Sequence, residues 1–95
     1  MAKLSAIILA KNEEKSLADC IKSVSFADEV LVIDDFSADR TAEIARAHGA
    51  RVVQHALAGN WGAQQTFAIK EARHPWVFFI DADERASKKL QTLVK

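Results

Sequence analysis

The chain has 95 residues, which is enough for one domain with a modest core. Lysine plus arginine equals aspartate plus glutamate, 13 against 13, so no net positive charge attracts polyanions, and we expect no nucleic-acid partner. The single cysteine, Cys20, cannot form an internal disulfide, and no stretch approaches the roughly 20 apolar residues of a membrane helix. These features favour a soluble, cytoplasmic domain.

The first half of the chain alternates short apolar runs with a helical pattern. Leu4–Leu9 and Val30–Ile33 are continuous apolar runs, typical of strands that are covered on both faces. Glu13–Val24, between them, carries one apolar stripe at helical spacing. This half therefore predicts a strand, a helix and a second strand.

The second half continues the same alternation. It predicts, in chain order, a helix capped by Ser37 or Asp39 and ended by Gly49, a strand at Arg51–Gln54, a helix at Ala63–Ala72 after a loop, a strand at Trp76–Ile80, and a helix at Ser87–Lys95.

This alternation of strands and helices predicts an α/β fold in which one unit spans residues 1–95. A parallel sheet of about four strands, in the order 3-2-1-4, has helices on both faces, which gives a Rossmann-like three-layer α/β/α architecture. In such sheets ligands bind beyond the carboxyl ends of the strands, near the switch point between the first and the fourth.

Polar and acidic side chains follow three of the four predicted strands. Asn12 follows the first strand, Asp34 and Asp35 follow the second, and Asp81-Ala82-Asp83-Glu84 follows the fourth. In isolation each has an ordinary structural interpretation, as a helix cap, a turn or a solvated strand end. The amino ends of the strands, near Glu29, show no comparable grouping of acids, so together the three clusters predict a binding edge.

Asp81 and Asp83 are spaced so that both can turn toward one hard cation. Carboxylate oxygens suit Mg²⁺ or Mn²⁺, and no convincing cluster of cysteine and histidine suggests zinc. The three histidines, His48, His55 and His74, are isolated and are interpreted as surface or helix-end residues.

The pattern also argues against several classes of nucleotide and phosphate enzyme. The first strand–helix turn contains no glycine, so neither a dinucleotide fingerprint nor a P-loop is present. Phosphatases of the haloacid dehalogenase type and response-regulator receivers normally carry their acid pair after the first strand. A receiver-like phosphoacceptor therefore ranks only third among the hypotheses.

Three motifs in order resemble family-2 glycosyltransferases of the GT-A fold. They are Asn12-Glu13-Glu14, the segment from Val32 to Thr41, and Phe79–Glu84, and the resemblance covers nearly the whole chain. The bacterial lipopolysaccharide-core branch looks most similar. The resemblance implies a truncated GT-A domain that binds a UDP-sugar and a divalent metal. The complete enzyme would transfer the sugar, with inversion, to a lipopolysaccharide-core or other glycan or lipid-linked acceptor, in the cytoplasm or at the inner face of the membrane.

The same resemblance implies roles for individual residues. Asp35, and with it Asp34, would meet the uracil or ribose. Asp83 would ligate the metal that bridges the diphosphate, and Asp81 would lie beside the ribose or a metal-bound water. The nucleotide-binding set is Asn12, Asp34, Asp35, Gln64 and Asp81, and the metal set is Asp81 and Asp83.

The sequence also departs from the family pattern. Phe36 stands where the family often has glycine, and Gln65 and Thr66 stand where a basic residue and asparagine are common, which suggests a weaker grip on the diphosphate. The acceptor segment and the catalytic base normally come later in the family, so no catalytic residue is predicted. The alternative function is a non-catalytic nucleotide-binding module or isolated folding unit.

Two further expectations concern exposed aromatic segments. Trp61, between two glycines, is expected to anchor its own loop rather than cover a nucleotide. The fourth strand, Trp76–Ile80, is expected to form an open sheet edge, and such edges pair with other chains. We therefore expect a homodimer through this edge.

Overall fold

The computed structural model describes residues 3–83, in which strands and helices alternate. The elements are β1 (Leu4–Ala10), α1 (Leu17–Ser23), β2 (Glu29–Asp34), α2 (Thr41–Ala47), β3 (Arg51–Gln54), α3 (Trp61–Glu71) and β4 (Trp76–Asp81). Within this range no helix has the length and apolar character needed to cross a membrane. The predicted helix at Ser87–Lys95 lies outside the described residues.

The four strands form one parallel sheet in the order β3-β2-β1-β4, which confirms the predicted order. The central strand β1 pairs with β2 on one side and with β4 on the other. In this register Ala10 lies beside Asp34, and Leu9 lies beside both Ile33 and Asp81. The carboxyl ends of the three strands are therefore level, and the loops that follow them meet at one edge.

Helices cover both faces of the sheet, as the three-layer prediction requires. Ile8 of β1 belongs to the core that contains Leu17 of α1 and Ala45 of α2. Its neighbour Ile7 belongs to a second core with Ala68 of α3. Because successive side chains of a strand point to opposite faces, β1, which is buried over most of its length, supplies both cores.

The first helix begins later than predicted, at Leu17 instead of Glu13. The backbone N–H of Glu13 donates to Thr41 Oγ1 at 2.8 Å, and that of Glu14 donates to Asp39 Oδ2 at 3.2 Å. These tertiary hydrogen bonds hold the preceding segment against the start of α2. Periodicity alone could not reveal them.

The third helix begins earlier than predicted, at Trp61 instead of Ala63. Asn60 is its N-cap, since the side-chain oxygen of Asn60 accepts a hydrogen bond from the backbone N–H of Ala63 at 3.0 Å. The predicted loop therefore ends at a capping residue that the sequence interpretation overlooked.

A polar network fixes the amino ends of the strands. The carboxylate of Glu29 accepts hydrogen bonds from Ser5 Oγ at 2.7 Å, Arg51 Nε at 3.0 Å and the backbone N–H of Arg73 at 3.0 Å. Arg51 also forms an ion pair with Glu71 at 3.6 Å. Burial by itself would raise the pKa of Glu29, but the Arg73 N–H, the Ser5 hydroxyl and the Arg51 guanidinium together lower this pKa. The network ties three strands to the end of α3.

Within residues 3–83, β4 has β1 as its only hydrogen-bonded neighbour in the sheet. Trp76, at its start, is exposed. Self-association through the other side of β4 stays a prediction.

Candidate functional site

The loops after β1 and β2 are fastened to each other at the carboxyl edge of the sheet. The side-chain oxygen of Asn12 accepts from the backbone N–H of Ala38 at 2.7 Å, and the N–H of Asn12 donates to Ser37 Oγ at 2.8 Å. The N–H of Asp35 donates to the carbonyl oxygen of Ala10 at 2.9 Å. Asn12 is therefore a link between loops. The interpretation of Asn12 as a helix cap is wrong, because Ser16 occupies that position of α1.

A pocket of about 300 Å³ opens at this edge, beyond the ends of β1, β2 and β4 and beside the first turn of α3. Its position agrees with the predicted switch point between β1 and β4. The residues that line it are Leu9, Ala10, Lys11, Glu13, Ile33, Asp35, Leu57, Trp61, Gln64, Asp81, Ala82 and Asp83.

The pocket brings together four of the six predicted site residues. Asp35, Gln64, Asp81 and Asp83 all line it. The Asp35 side chain retains 19% of its surface, while Asp81 and Asp83 are exposed. Carboxylates from two different strands, separated by about fifty positions in the chain, therefore share one cavity. Asn12 and Asp34 do not line it.

Asp34 has a different environment from its neighbour Asp35. Its side chain is fully buried and turned toward the protein. Oδ1 accepts hydrogen bonds from the backbone N–H and the hydroxyl of Ser37, and Oδ2 accepts from Gln54 Nε2 at 3.2 Å. This placement does not support the predicted contact between Asp34 and a nucleotide. Asp34 instead fixes the turn that presents Asp35.

Gln64 forms a fixed part of the pocket wall. It is 2% exposed, and its Nε2 donates to the backbone oxygen of His55 at 2.9 Å. This orientation of the amide presents Oε1 to His55 Nδ1, so Nδ1 carries the proton of that short hydrogen bond. The His55 ring also stacks on Phe67 with centroids 3.7 Å apart. His55 therefore has a packing role, which differs from the surface or helix-end role expected from the sequence.

Lys11, Leu57 and Trp61 are among the lining residues that were not assigned to the site from the sequence. Lys11 places its Nζ 3.8 Å from Asp35 Oδ2. Its position directly after β1 was the available signal. Trp61 is 54% exposed and lies on the pocket wall, so the expected loop-anchoring role does not describe its surroundings.

The donor atoms of the pocket fit a hard divalent cation in part. Asp35, Asp81 and Asp83 offer carboxylate oxygens, which Mg²⁺ and Mn²⁺ prefer. Within residues 3–83, no group of three or more histidine, cysteine, aspartate or glutamate side chains is arranged to hold a metal ion. Mg²⁺ is commonly bound by one or two carboxylates together with phosphate oxygens of a substrate. The residues present fit a metal that is shared with a phosphate ligand.

Comparisons with known proteins agree with this geometry. The family model described as Glycosyl transferase family 2 matches residues 5–95. The chain is 44% identical over 92 residues to an uncharacterised glycosyltransferase of Rickettsia typhi, covering 96% of the chain and 31% of that protein. It is 35% identical over 96 residues to the lipopolysaccharide core biosynthesis glycosyltransferase LpsC of Rhizobium meliloti, covering 96% of the chain and 35% of that protein. The chain thus spans about a third of the length of these relatives.

Solved structures show the same fold. Glucosyl-3-phosphoglycerate synthase from Mycobacterium tuberculosis, in complex with UDP, matches with a TM-score of 0.76 and 29% identity over 87% of this chain and 34% of that one. A complex of the same enzyme with Mn²⁺, UDP and glucosyl-3-phosphoglycerate matches with a TM-score of 0.74 and 29% identity, covering 85% of this chain and 33% of that one. TarS from Staphylococcus aureus matches with a TM-score of 0.79 and 28% identity, covering 97% of this chain and 31% of that one.

Proposed function

The chain belongs to glycosyltransferase family 2, and we propose that it binds the UDP-sugar donor and a divalent metal for an inverting sugar transfer. The observation that carries this proposal is the convergence of Asp35, Asp81 and Asp83 on one pocket at the carboxyl edge of the sheet. A pocket of about 300 Å³ is at the lower end of the volumes typical of small-molecule sites. The UDP complex of the mycobacterial synthase, with the same fold, supports the choice of nucleotide.

Asp35 is the proposed contact to the uracil or ribose. Its carboxylate lines the pocket, and its backbone is held by the Ala10 carbonyl oxygen on one side and by the Asp34–Ser37 turn on the other. A carboxylate fixed in this way can accept a hydrogen bond from a base N–H or a ribose hydroxyl with little loss of freedom.

The two residues that α3 contributes to the pocket carry no charge. Trp61 offers an exposed indole that a nucleoside can contact, and Gln64 is held in place by His55. Asn12 acts indirectly in this proposal, because its hydrogen bonds to Ser37 and Ala38 fix the loop that carries Asp35.

Asp81 and Asp83 are the proposed metal residues. Both are exposed at the end of β4, which is anchored through its pairing with β1. Asp83 would hold the metal and Asp81 would lie beside the ribose or a metal-bound water. A bound divalent ion would stabilise the negative charge that develops on the departing diphosphate.

The acceptor and the cellular location are further parts of the proposal. The name of the Rhizobium meliloti relative supports a lipopolysaccharide-core glycan as acceptor. We propose that transfer takes place in the cytoplasm or at the inner face of the membrane, where UDP-sugars are available.

Titration calorimetry with UDP tests the donor site. We expect the wild-type chain to bind UDP in EDTA and to bind it more tightly with Mn²⁺. Asp83→Ala should abolish this gain from the metal, with no change in thermal stability. Equal UDP affinity with and without Mn²⁺, unchanged by Asp83→Ala, would remove the metal from the proposal.

A further inference from the structure

Lys11 is the one basic side chain among the described residues that line the pocket. Four carboxylates surround the same cavity, those of Glu13, Asp35, Asp81 and Asp83. A phosphate-bearing ligand that enters this cavity meets like charge on several sides, so its binding requires cations. Gln64 and Trp61, which α3 contributes, carry no charge.

The backbone of Lys11 is held on both sides, whereas its side chain is exposed. The preceding residue, Ala10, is the last of β1 and accepts the N–H of Asp35 at 2.9 Å. The following residue, Asn12, is held by Ser37 and Ala38. The Lys11 side chain nevertheless retains 62% of its surface. It is a flexible four-carbon stem on a rigid base at the pocket mouth.

The ion pair of Lys11 with Asp35 can be exchanged at little cost. Nζ lies 3.8 Å from Oδ2, which is longer than a hydrogen bond, and the lysine end of the pair is exposed to solvent, so the pair contributes little stability. An incoming phosphate group offers the ammonium several oxygen acceptors. The departure of Lys11 also leaves the Asp35 carboxylate available to the nucleoside.

We propose that Lys11 is a ligand-contacting residue of this pocket, whose ammonium turns from Asp35 to the phosphate groups of the bound nucleotide. The inference rests on the proposed nucleotide site and names a residue that supplies positive charge from the protein itself. Lys11 and a divalent metal then act on the same diphosphate. The contribution of Lys11 is therefore largest when no metal is present.

Calorimetric titration of UDP into Lys11→Met tests this inference, first in EDTA and then with saturating Mn²⁺. Because a hydrogen bond to a charged group is strong, we expect UDP affinity to fall about tenfold in EDTA and by a smaller factor with Mn²⁺. Lys11→Arg, which keeps the charge, should retain most of the affinity. Lys15→Met is the matched control, since Lys15 is exposed in the same segment, does not line the pocket, and should leave binding unchanged.

Uridine, used as a competitor of UDP, separates contact with phosphate from an effect on Asp35. Lys11→Met should leave the affinity for uridine unchanged. An equal loss for uridine and UDP would show that Lys11 acts only through Asp35 and would overturn the inference. The inference would also be overturned if the Lys11→Met variant bound UDP in EDTA as tightly as the wild type does. A wild-type chain that binds UDP only in the presence of Mn²⁺ would overturn it as well. A wild-type chain that binds no UDP under either condition would refute the proposed function itself.

Discussion

Acidic side chains have different roles at the two ends of the parallel strands. We call the end where the strands begin the amino edge and the end where they finish the carboxyl edge. At the amino edge, Glu29 is 9% exposed and accepts three hydrogen bonds from Ser5, Arg51 and Arg73. At the carboxyl edge, Asp35 lines an open pocket and lies 3.8 Å from the exposed ammonium of Lys11. A carboxylate whose acceptor capacity is filled by the protein stabilises the fold. A carboxylate that faces a cavity and has only a weak partner can accept a hydrogen bond from a ligand.

Backbone strain is also unequal between the two edges. Within residues 3–83, three non-glycine residues have positive φ, namely Asn12 at 53°, Phe36 at 47° and Ala58 at 50°. They lie in the loops that follow β1, β2 and β3. Such conformations persist only where the surrounding structure holds them, and they cluster at functional sites. The distribution of strain agrees with the assignment of the carboxyl edge to binding.

The largest expected difference in stability is between variants of Asp34 and Asp35, which are neighbours at the end of β2. Asp34→Asn places the NH₂ group of a fully buried side chain opposite a donor of Ser37 or Gln54, and we expect it to lower the free energy of unfolding by about 2 kcal/mol. Asp35→Asn should change this free energy by less than about 0.5 kcal/mol. Urea denaturation of both variants measures the difference.

The same two variants should show the reverse order in their loss of UDP affinity. Asp35→Asn replaces a charged acceptor in the pocket, so UDP affinity should fall about tenfold. Folded Asp34→Asn should lose less affinity, because Asp34 does not reach the cavity. If Asp35→Asn unfolds the protein, Asp35 is structural and the comparison fails.

The amino-edge network should make stability depend on pH. The pKa of Glu29 in the folded state lies below its ordinary value of 4.5, so the ionised form is favoured by folding. Its stabilisation is fully present above that ordinary value and is lost as the pH falls through the lower folded pKa. Glu29→Gln should cost roughly 1–2 kcal/mol at neutral pH.

Unfolding curves recorded from neutral pH down past 4.5 test the network. The difference in stability between the wild type and Glu29→Gln should shrink as the pH falls. UDP affinity at neutral pH should be unaffected by this variant. A constant stability difference at all pH values would mean that the charge of Glu29 contributes nothing.

The smallest expected effect concerns Phe36. Glycine adopts positive φ without strain, although it loses more entropy on folding, so Phe36→Gly should stabilise the protein by about 0.5–1 kcal/mol. Phe36→Ala keeps the strained backbone and controls for the loss of the ring, which is 59% exposed. Thermal denaturation compares the two, and a gain in Phe36→Ala equal to that in Phe36→Gly would contradict the strain interpretation.

β1 and β2 were predictable because each is a short, mostly buried apolar run. The strand order was predictable because right-handed crossovers restrict the topologies of a parallel sheet. The starts of α1 and α3 were not, since Thr41, Asp39 and Asn60 decide them through hydrogen bonds that leave no periodic signal. The sequence likewise could not separate Asp34 from Asp35. The difference depends on Gln54 of β3, which reaches Asp34 from another strand.

The place of Lys11 in the site likewise could not be predicted from the sequence. The acidic clusters could be assigned to one edge from the strand order alone, because the carboxyl ends of parallel strands share an edge. The ion pair of Lys11 with Asp35 depends on how the two loops are fastened by Asn12 and Ser37. Only the structure supplies that information.

The central claim is that nucleotide binds at the carboxyl edge while the amino edge only maintains the fold. Amide chemical-shift mapping by NMR, during titration with UDP and Mg²⁺, tests it most directly. We predict shifts concentrated at Lys11, Asp35, Trp61, Gln64 and the segment from Asp81 to Asp83, with small changes at Glu29, Arg51 and Arg73. Shifts concentrated around Glu29 and Arg51, or no shifts at all at saturating UDP, would contradict the account.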